Sequence, residues 1–243
     1  MLLKPASWAR SIAWPLAVLL IGISSTAFLV SELAAENERT AREALTEVGE
    51  KSAAELQDRV QRYQYGLRGI RGAAITAGEF GLSREAFHRY SMSRDLAVEF
   101  PGARGMGFVR RVPPAQEAAF VKAAQLDGAP NFMVHAFRPH EGERYVIQYF
   151  EPEQTNSQAI GLDIASESRR RQAADAAMRA GVAQLSAPIT LVQADGAINQ
   201  SFLLLLPIYR TEVTPPTEAE RVAAGYGWSY AALSMAEVLG NMN

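Results

Sequence analysis

Tyr145-Val-Ile-Gln-Tyr-Phe-Glu-Pro-Glu-Gln-Thr-Asn-Ser-Gln-Ala-Ile-Gly-Leu-Asp163, followed shortly by Ser166-Glu-Ser-Arg-Arg170, is the stretch on which the reading of this chain turns. Aromatic and β-branched residues make Arg144 to Phe150 a strand. Acids and amides then fill a loop, and Ser166 or Ser168 opens a helix that Gly181 closes after Ala180. A strand that empties into a polar loop ahead of a helix is a common way for a rigid scaffold to present a ligand mouth. Under strict two-residue alternation Tyr145, Ile147 and Tyr149 share one face, with Val146, Gln148 and Phe150 on the other. Two tyrosines on one face either cover a planar ligand or fill a core, and the sequence leaves both readings open. Glu151, Glu153, Gln154 and Asn156 follow in the loop, where polar groups can converge on a ligand. A neighbouring strand, kinked at Pro188, adds Ser186 and Thr190 as a second polar edge, with Gln193 beyond them. Asp163, just ahead of the helix, reads as a scaffold residue that binds backbone amides.

Working outward, Ser83 caps a helix that reaches Phe100, Pro101-Gly102 breaks it, and Gly105 to Val112 forms a strand. Ala115 to Leu126 is a second helix. Phe132 to Phe137 and Arg144 to Phe150 are expected to pair as a hairpin across Pro139-His-Glu-Gly142. Ala183 to Val192 and Asn199 to Tyr209 flank a second turn at Ala194-Asp-Gly196, and Leu203 to Leu206, apolar on both faces, should be central and buried. Thr211 to Arg221 reads as an exposed loop, Gly227 to Ala232 as the last strand, and Ser234 to Asn243 as the start of an exit helix cut short ahead of a second membrane crossing.

Toward the N-terminus the pattern changes. Residues Ser11 to Ser31 carry no charge and are long enough as a helix to cross a bilayer core of about 30 Å. Lys4 and Arg10 precede this span while Glu32, Glu36 and Glu38 follow it, so the positive-inside bias leaves the short N-terminus in the cytoplasm and the rest outside. Ser25-Thr-Ala27 would suit a cleaved signal peptide, but Phe28, Leu29 and Val30 prolong the apolar run, and the segment is read as a retained anchor. From Glu32 to about Ala77 the chain is rich in helix formers and free of proline. Ala41, Leu45, Val48, Ser52, Leu56, Val60, Tyr63, Leu67, Ile70 and Ala74 recur every ~3.7 residues, one stripe of a single long helix. Such a helix needs a partner as well as a core, which makes homodimerisation along its first half the expectation. Gly66, Gly69 and Gly72 near its far end allow close packing against a sheet.

Chemistry-bearing motifs are sparse. The chain has 243 residues, a net charge of -2, no cysteine and no basic stripe with interleaved aromatics, so a nucleic-acid partner, thiolate chemistry and disulfides drop out. His88, His135 and His140 fall on a helix, a strand and a turn with no metal-ligand spacing. No Gly-x-Ser-x-Gly elbow is present, and Gly102-Ala-Arg-Gly-Met-Gly107 is not a dinucleotide fingerprint. The expectation is therefore a non-enzyme with no catalytic residue, metal or cofactor.

Phe100 to Val109, Tyr149-Phe-Glu-Pro152, Asn156 with Gly161-Leu-Asp163, Ser166 to Arg170, Gly181 to Pro188, Leu191-Val-Gln193 and Pro207-Ile-Tyr209, taken in order, resemble the CHASE domain, the cyclase/histidine-kinase-associated sensory extracellular domain. The likeness runs from about Gly66 to Ala232. It implies an α/β (α+β) fold: a long membrane-proximal helix, then two stacked PAS-like subdomains, the membrane-distal one binding a small ligand. It also implies a dimer, flanking membrane spans and a cytoplasmic histidine kinase or diguanylate cyclase. Plant receptors of this family hold an adenine-type ring with an acid after the equivalent strand and a hydroxyl near the position of Ser186. Here the loop reads Glu-Pro-Glu-Gln, so the acid is Glu151 or Glu153, or is absent from the pocket.

The expected organisation is thus a cytoplasmic N-terminus and transmembrane helix (1–31), a long helix (32–77), a sensory domain (78–232) and an exit helix (233–243). Its ligand-binding set is Tyr145, Tyr149, Glu151, Glu153, Gln154, Asn156, Ser186 and Thr190. The function expected is that of an inner-membrane receptor whose periplasmic domain senses an unidentified small molecule. The alternative is a membrane-tethered binding or structural protein without signalling output.

Overall fold

A computed structural model describes residues 8–78, 81–191 and 200–240. The chain divides into two units, Met1–Leu56 and Gln57–Asn243. In the first, helix α1 (Trp8–Thr76) carries the apolar run, with Pro15 inside it. It is the one described helix long and apolar enough to cross a membrane, and none of its most apolar window is buried. Further along, Glu38 and Arg42 pair one turn apart at 2.5 Å, the expected decoration of a solvated helix surface. Leu45 and Val48 are exposed.

The second unit holds the end of α1 and everything after it. The stripe read from the sequence becomes buried here: Tyr63, Leu67, Ile70 and Ala74 are all inside. Ser83 caps α2 (Arg84–Met92) by accepting from the Ala86 amide, and Asp95 caps the single turn α3 (Leu96–Glu99), so the expected helix to Phe100 is interrupted at Ser93. Gly66 and Gly69 serve α2 and α3 rather than a sheet alone. A methyl on Gly66 would meet the Phe100 ring at 2.7 Å, and one on Gly69 would collide with the Tyr90 hydroxyl, whereas Gly72 faces open space.

Seven strands form one sheet in the order β2-β4-β3-β1-β7-β6-β5. They are β1 (Ala103–Val112), β2 (His135–Ala136), β3 (Arg144–Glu151), β4 (Leu162–Asp163), β5 (Gln184–Leu185), β6 (Ser201–Tyr209) and β7 (Gly225–Ser234). The division into two stacked subdomains implied by the resemblance does not emerge from this pairing, because all seven strands belong to a single sheet. The expected hairpin of Phe132 to Phe137 with β3 is also corrected. β4 lies between them and pairs in parallel with β2 through Leu162 and Asp163. The turn at Ala194-Asp-Gly196 and the residue Gln193 lie outside the described residues. Leu203 to Leu206 are buried in β6 as expected, with β7 and β5 on either side.

Helices cover both faces. On one, α6 (Ser168–Ala180) packs Ala173, Ala174, Ala177 and Met178 against Val109, Tyr145, Leu205, Trp228 and Tyr230. Glu167, not a serine, caps it through the amides of Arg169 and Arg170, and Gly181 closes it in the left-handed region. Trp228 Nε1 donates to the Ala174 carbonyl at 2.9 Å, which satisfies the indole inside the core. On the other face lie the end of α1, α2 and α4 (Glu117–Leu126). Ser229 at the middle of β7 donates to the Leu67 carbonyl at 2.9 Å, tying α1 to the sheet. The remaining helices are short: α5 (Glu153–Asn156), α7 (Glu218–Ala224) and α8 (Met235–Gly240). α7 shortens the loop expected from Thr211 to Arg221. A reciprocal capping box between Thr217 and Glu220 starts it, a signal passed over beside Pro215-Pro216.

Candidate functional site

Two irregularities in the sheet set the site. Phe108 of β1 pairs with Tyr149 while Val109 pairs with Ile147, so Gln148 is an extra residue in β3. Ile208 pairs with Gly227 while Tyr209 pairs with Gly225, so Tyr226 is extra in β7. Each is a β-bulge, a device that re-aims a side chain without ending the strand. The first overturns the strict alternation. Tyr145, Ile147 and Phe150 all enter the α6 core, while Tyr149 turns to the opposite face and stacks on Phe87 at 5.3 Å. The second brings Tyr226 onto that same face, where it stacks on Phe108 at 5.7 Å.

The expected ligand-binding residues are thereby dispersed. Tyr145 belongs to the core, donating its hydroxyl to Asp175 at 2.6 Å and packing 4.5 Å from Trp228. Asn156 is buried and scaffolding, donating to the Pro152 and Arg104 carbonyls. Ser186 is buried at the far edge of the sheet, accepting from the Leu203 amide at 3.0 Å and donating to the Ala187 carbonyl. Thr190 is exposed, and its carbonyl accepts from Arg170. Glu151, Glu153 and Gln154 stay near one another at the end of β3, but the two acids are engaged: Glu151 meets His88 at 2.8 Å and Glu153 pairs with Arg84 at 2.8 Å. Asp163 is the scaffold residue the sequence suggested. Fully buried, it accepts from the amides of Tyr145 and Ala165 and meets His140 Nε2 at 2.6 Å. Of the set, Tyr149 alone lines one of the two cavities described next.

These cavities share a wall on the α1 face. One, of about 490 Å³, lies among Leu82, Phe120, Asp127, Gln148 and Tyr149; the other, of about 650 Å³, lies among Ala74, Ile75, Ile208, Arg210 and Glu212. Arg110 and Tyr226 line both. Both volumes fall within the range of about 300–1,000 Å³ usual for small-molecule sites. At the shared wall the Arg110 guanidinium lies over the Tyr226 ring, 3.4 Å from its centre, and Arg210 approaches the same ring at 5.8 Å. The Tyr149 hydroxyl is held by the Leu82 carbonyl at 2.6 Å and by Asp127 at 2.7 Å. Burial, then its bond to Asp127, pushes that hydroxyl far above the ordinary tyrosine range, so it remains a neutral donor. Burial and the neighbouring Arg210 hold Arg110 down to about 10, still a cation at neutral pH. Among the described residues lining the cavities, hydrogen-bonding, cationic and aromatic groups converge and no nucleophile is paired with a base. Among the described residues no cluster of His, Cys, Asp or Glu suits a metal.

Residues 81–243 match the family model of the CHASE domain. The chain belongs to the CHASE domain family. No curated protein matches the chain. The CHASE domain is an extracellular sensor domain of signalling receptors and not a catalytic one, and sensors of this type bind small ligands. In this CHASE domain the matched segment begins at Gly81, the first residue of the smaller cavity, and the apolar start of α1 is compatible with membrane anchoring.

Arg110 and Tyr226 were not among the residues singled out from the sequence. Arg110 carried a readable signal: it falls between Phe108 and Val112 on the alternation of β1, a charge on an otherwise apolar face. Tyr226 carried none, since alternation places it with Trp228 and only the bulge moves it across.

Proposed function

We propose that the chain is the extracytoplasmic small-ligand sensor of a membrane-bound signal-transduction receptor, anchored by the first part of α1 in the inner membrane with its sensory unit in the periplasm. The observation that carries this reading is the CHASE match over residues 81–243, following a helix whose first part is apolar enough to span a bilayer. The ligand binds in the paired cavities around Arg110 and Tyr226, with Tyr149 at their inner wall. A PAS-like reading of the unit is supported by the order β3-β1-β7-β6-β5, in which β1 and β7 lie side by side and the connection from β3 to β5 crosses one face on helices.

The route out of the site is short. Ala74 and Ile75 of α1 line the larger cavity, which shares Arg110 and Tyr226 with the smaller one, so a molecule that engages that wall is one side chain away from the helix that carries the membrane-compatible run. Arg59 Nη1 donates to the Val238 carbonyl at 2.7 Å, tying α1 to the exit helix α8. Ligand binding that favours one position of α1 over another shifts the population of the receptor's states. The output is a histidine kinase or diguanylate cyclase outside this chain. The exposed Leu45 and Val48 serve a homodimer along α1, and single cysteines at Ala41, Leu45 or Val48 crosslink in that arrangement.

The test is a thermal-shift screen of the full chain in lipid nanodiscs against purines, amino acids, peptides and aromatic acids. Some compound should raise Tm, and Phe120→Ala and Tyr226→Ala should weaken that rise while Ser186→Ala leaves it intact. A screen in which no compound moves Tm contradicts the sensor reading. A shift lost in Ser186→Ala but kept in Tyr226→Ala contradicts the placement.

A further inference from the structure

Among the described residues Arg110 is a cation without an anion. Its Nη1 is buried with no hydrogen-bond partner, and among the described residues it enters no ion pair. Among the described residues, none of the other charged groups lining the cavities neutralises it. Arg111 is paired with Glu143 at 2.7 Å, and Asp127 is taken up by the Tyr149 hydroxyl and the Arg84 amide. Arg210 adds a second cation at the same ring and donates to the Gly225 carbonyl, and among the described residues the exposed Glu212 pairs with neither arginine. Buried guanidinium groups are ordinarily compensated by a carboxylate or a phosphate, because the desolvated charge is otherwise unfavourable.

Resting on the reading of the cavities as the ligand site, we propose that the ligand is a small organic carboxylate. Its carboxylate accepts from Arg110 at the wall common to both cavities, and its apolar body lies against Leu82, Ala119, Phe120 and Ala123. A guanidinium stacked on an aromatic ring keeps its N–H edge free for a carboxylate. Tyr226 leaves Arg110 in that state. A cavity of about 490 Å³ with this apolar wall exceeds what an inorganic anion fills.

The experiment uses the full chain in nanodiscs and pairs each acid with its amide: benzoate with benzamide, hexanoate with hexanamide, succinate with succinamide, and inorganic phosphate alone. At least one carboxylate should raise Tm while its amide does not. Arg110→Met should weaken that carboxylate by roughly thirty-fold or more, as expected for losing one partner of a buried charge pair. Arg110→Met should fold at least as well as the parent, since it removes an uncompensated charge, and Arg110→Lys should recover part of the affinity. Four results would each overturn the proposal: equal stabilisation by acid and amide, unchanged binding in Arg110→Met, stabilisation by phosphate alone, and no response to any carboxylate. A neutral compound that binds with Arg110→Met intact overturns the carboxylate and upholds the sensor; a silent broad screen overturns both.

Discussion

Leu67→Ala tests whether the membrane-proximal helix is built into the sensory unit or merely leads to it. Leu67 is 0% exposed, and the carbonyl of the same residue accepts from Ser229 at the middle of the sheet. Alanine is the best helix former, so the substitution leaves the local preference of α1 intact, and its whole effect is tertiary. Truncating a fully buried leucine costs about 2–5 kcal/mol, through lost transfer energy and the cavity left behind. At about 3 kcal/mol, and about 2–4 °C per kcal/mol for a unit of this size, Tm should fall by about 6–12 °C. The control is Tyr65→Ala on the same helix. Tyr65 is 58% exposed and lies beside Arg68, so its loss should stay within about 0.5 kcal/mol. The assay is thermal unfolding of the full chain in nanodiscs, read by a signal from Trp228 in the core. If Leu67→Ala melts with Tyr65→Ala, the end of α1 does not dock on the sheet and cannot carry a signal from it.

Two further outcomes follow from the buried polar groups. Tyr145, Tyr149 and Tyr230 are all pushed above the ordinary tyrosine range, chiefly by burial, so an absorbance titration of the folded protein should leave them protonated at about pH 11. Because the unfolded chain ionises them near pH 10, stability is intact below that value and falls as pH rises past it. Asn156→Ala and Ser186→Ala each strand buried backbone groups, and each should lower stability by about 1–3 kcal/mol in denaturant without altering ligand affinity. A loss of affinity with unchanged stability in either would return these residues to the binding site.

The elements with a strong local signal were legible. The helical stripe through Tyr63, Leu67, Ile70 and Ala74, the cap at Ser83, the left-handed stop at Gly181 and the doubly buried Leu203 to Leu206 all follow from spacing and side-chain chemistry. Three features were decided by tertiary context instead. β4 is only two residues long and displaces an expected hairpin, and no propensity marks so short a strand. Gln148 and Tyr226 are bulged, and a one-residue insertion into a ladder leaves every neighbouring residue type unchanged while reversing which face a side chain reaches. The separation of the two tyrosines of the expected ligand set has the same origin. Tyr145 and Tyr149 look equivalent in sequence, and the bulge sends one into the α6 core and the other to the cavity. Glu151 and Glu153, offered by the sequence as loop acids that could meet a ligand, are occupied by His88 and Arg84, residues more than sixty positions away.

Site-directed labelling offers the most direct measurement of where the ligand binds, because the chain contains no cysteine. Ala119 is exposed at the wall of the smaller cavity, and Ala180 is exposed at the end of α6, away from both cavities. With a single cysteine at each position in turn, the rate of reaction with a small methanethiosulfonate reagent is followed with and without a compound that stabilises the receptor. The paired-cavity site predicts that the compound slows labelling of Ala119→Cys and leaves Ala180→Cys unchanged. Unchanged labelling of Ala119→Cys at saturation would place the ligand elsewhere.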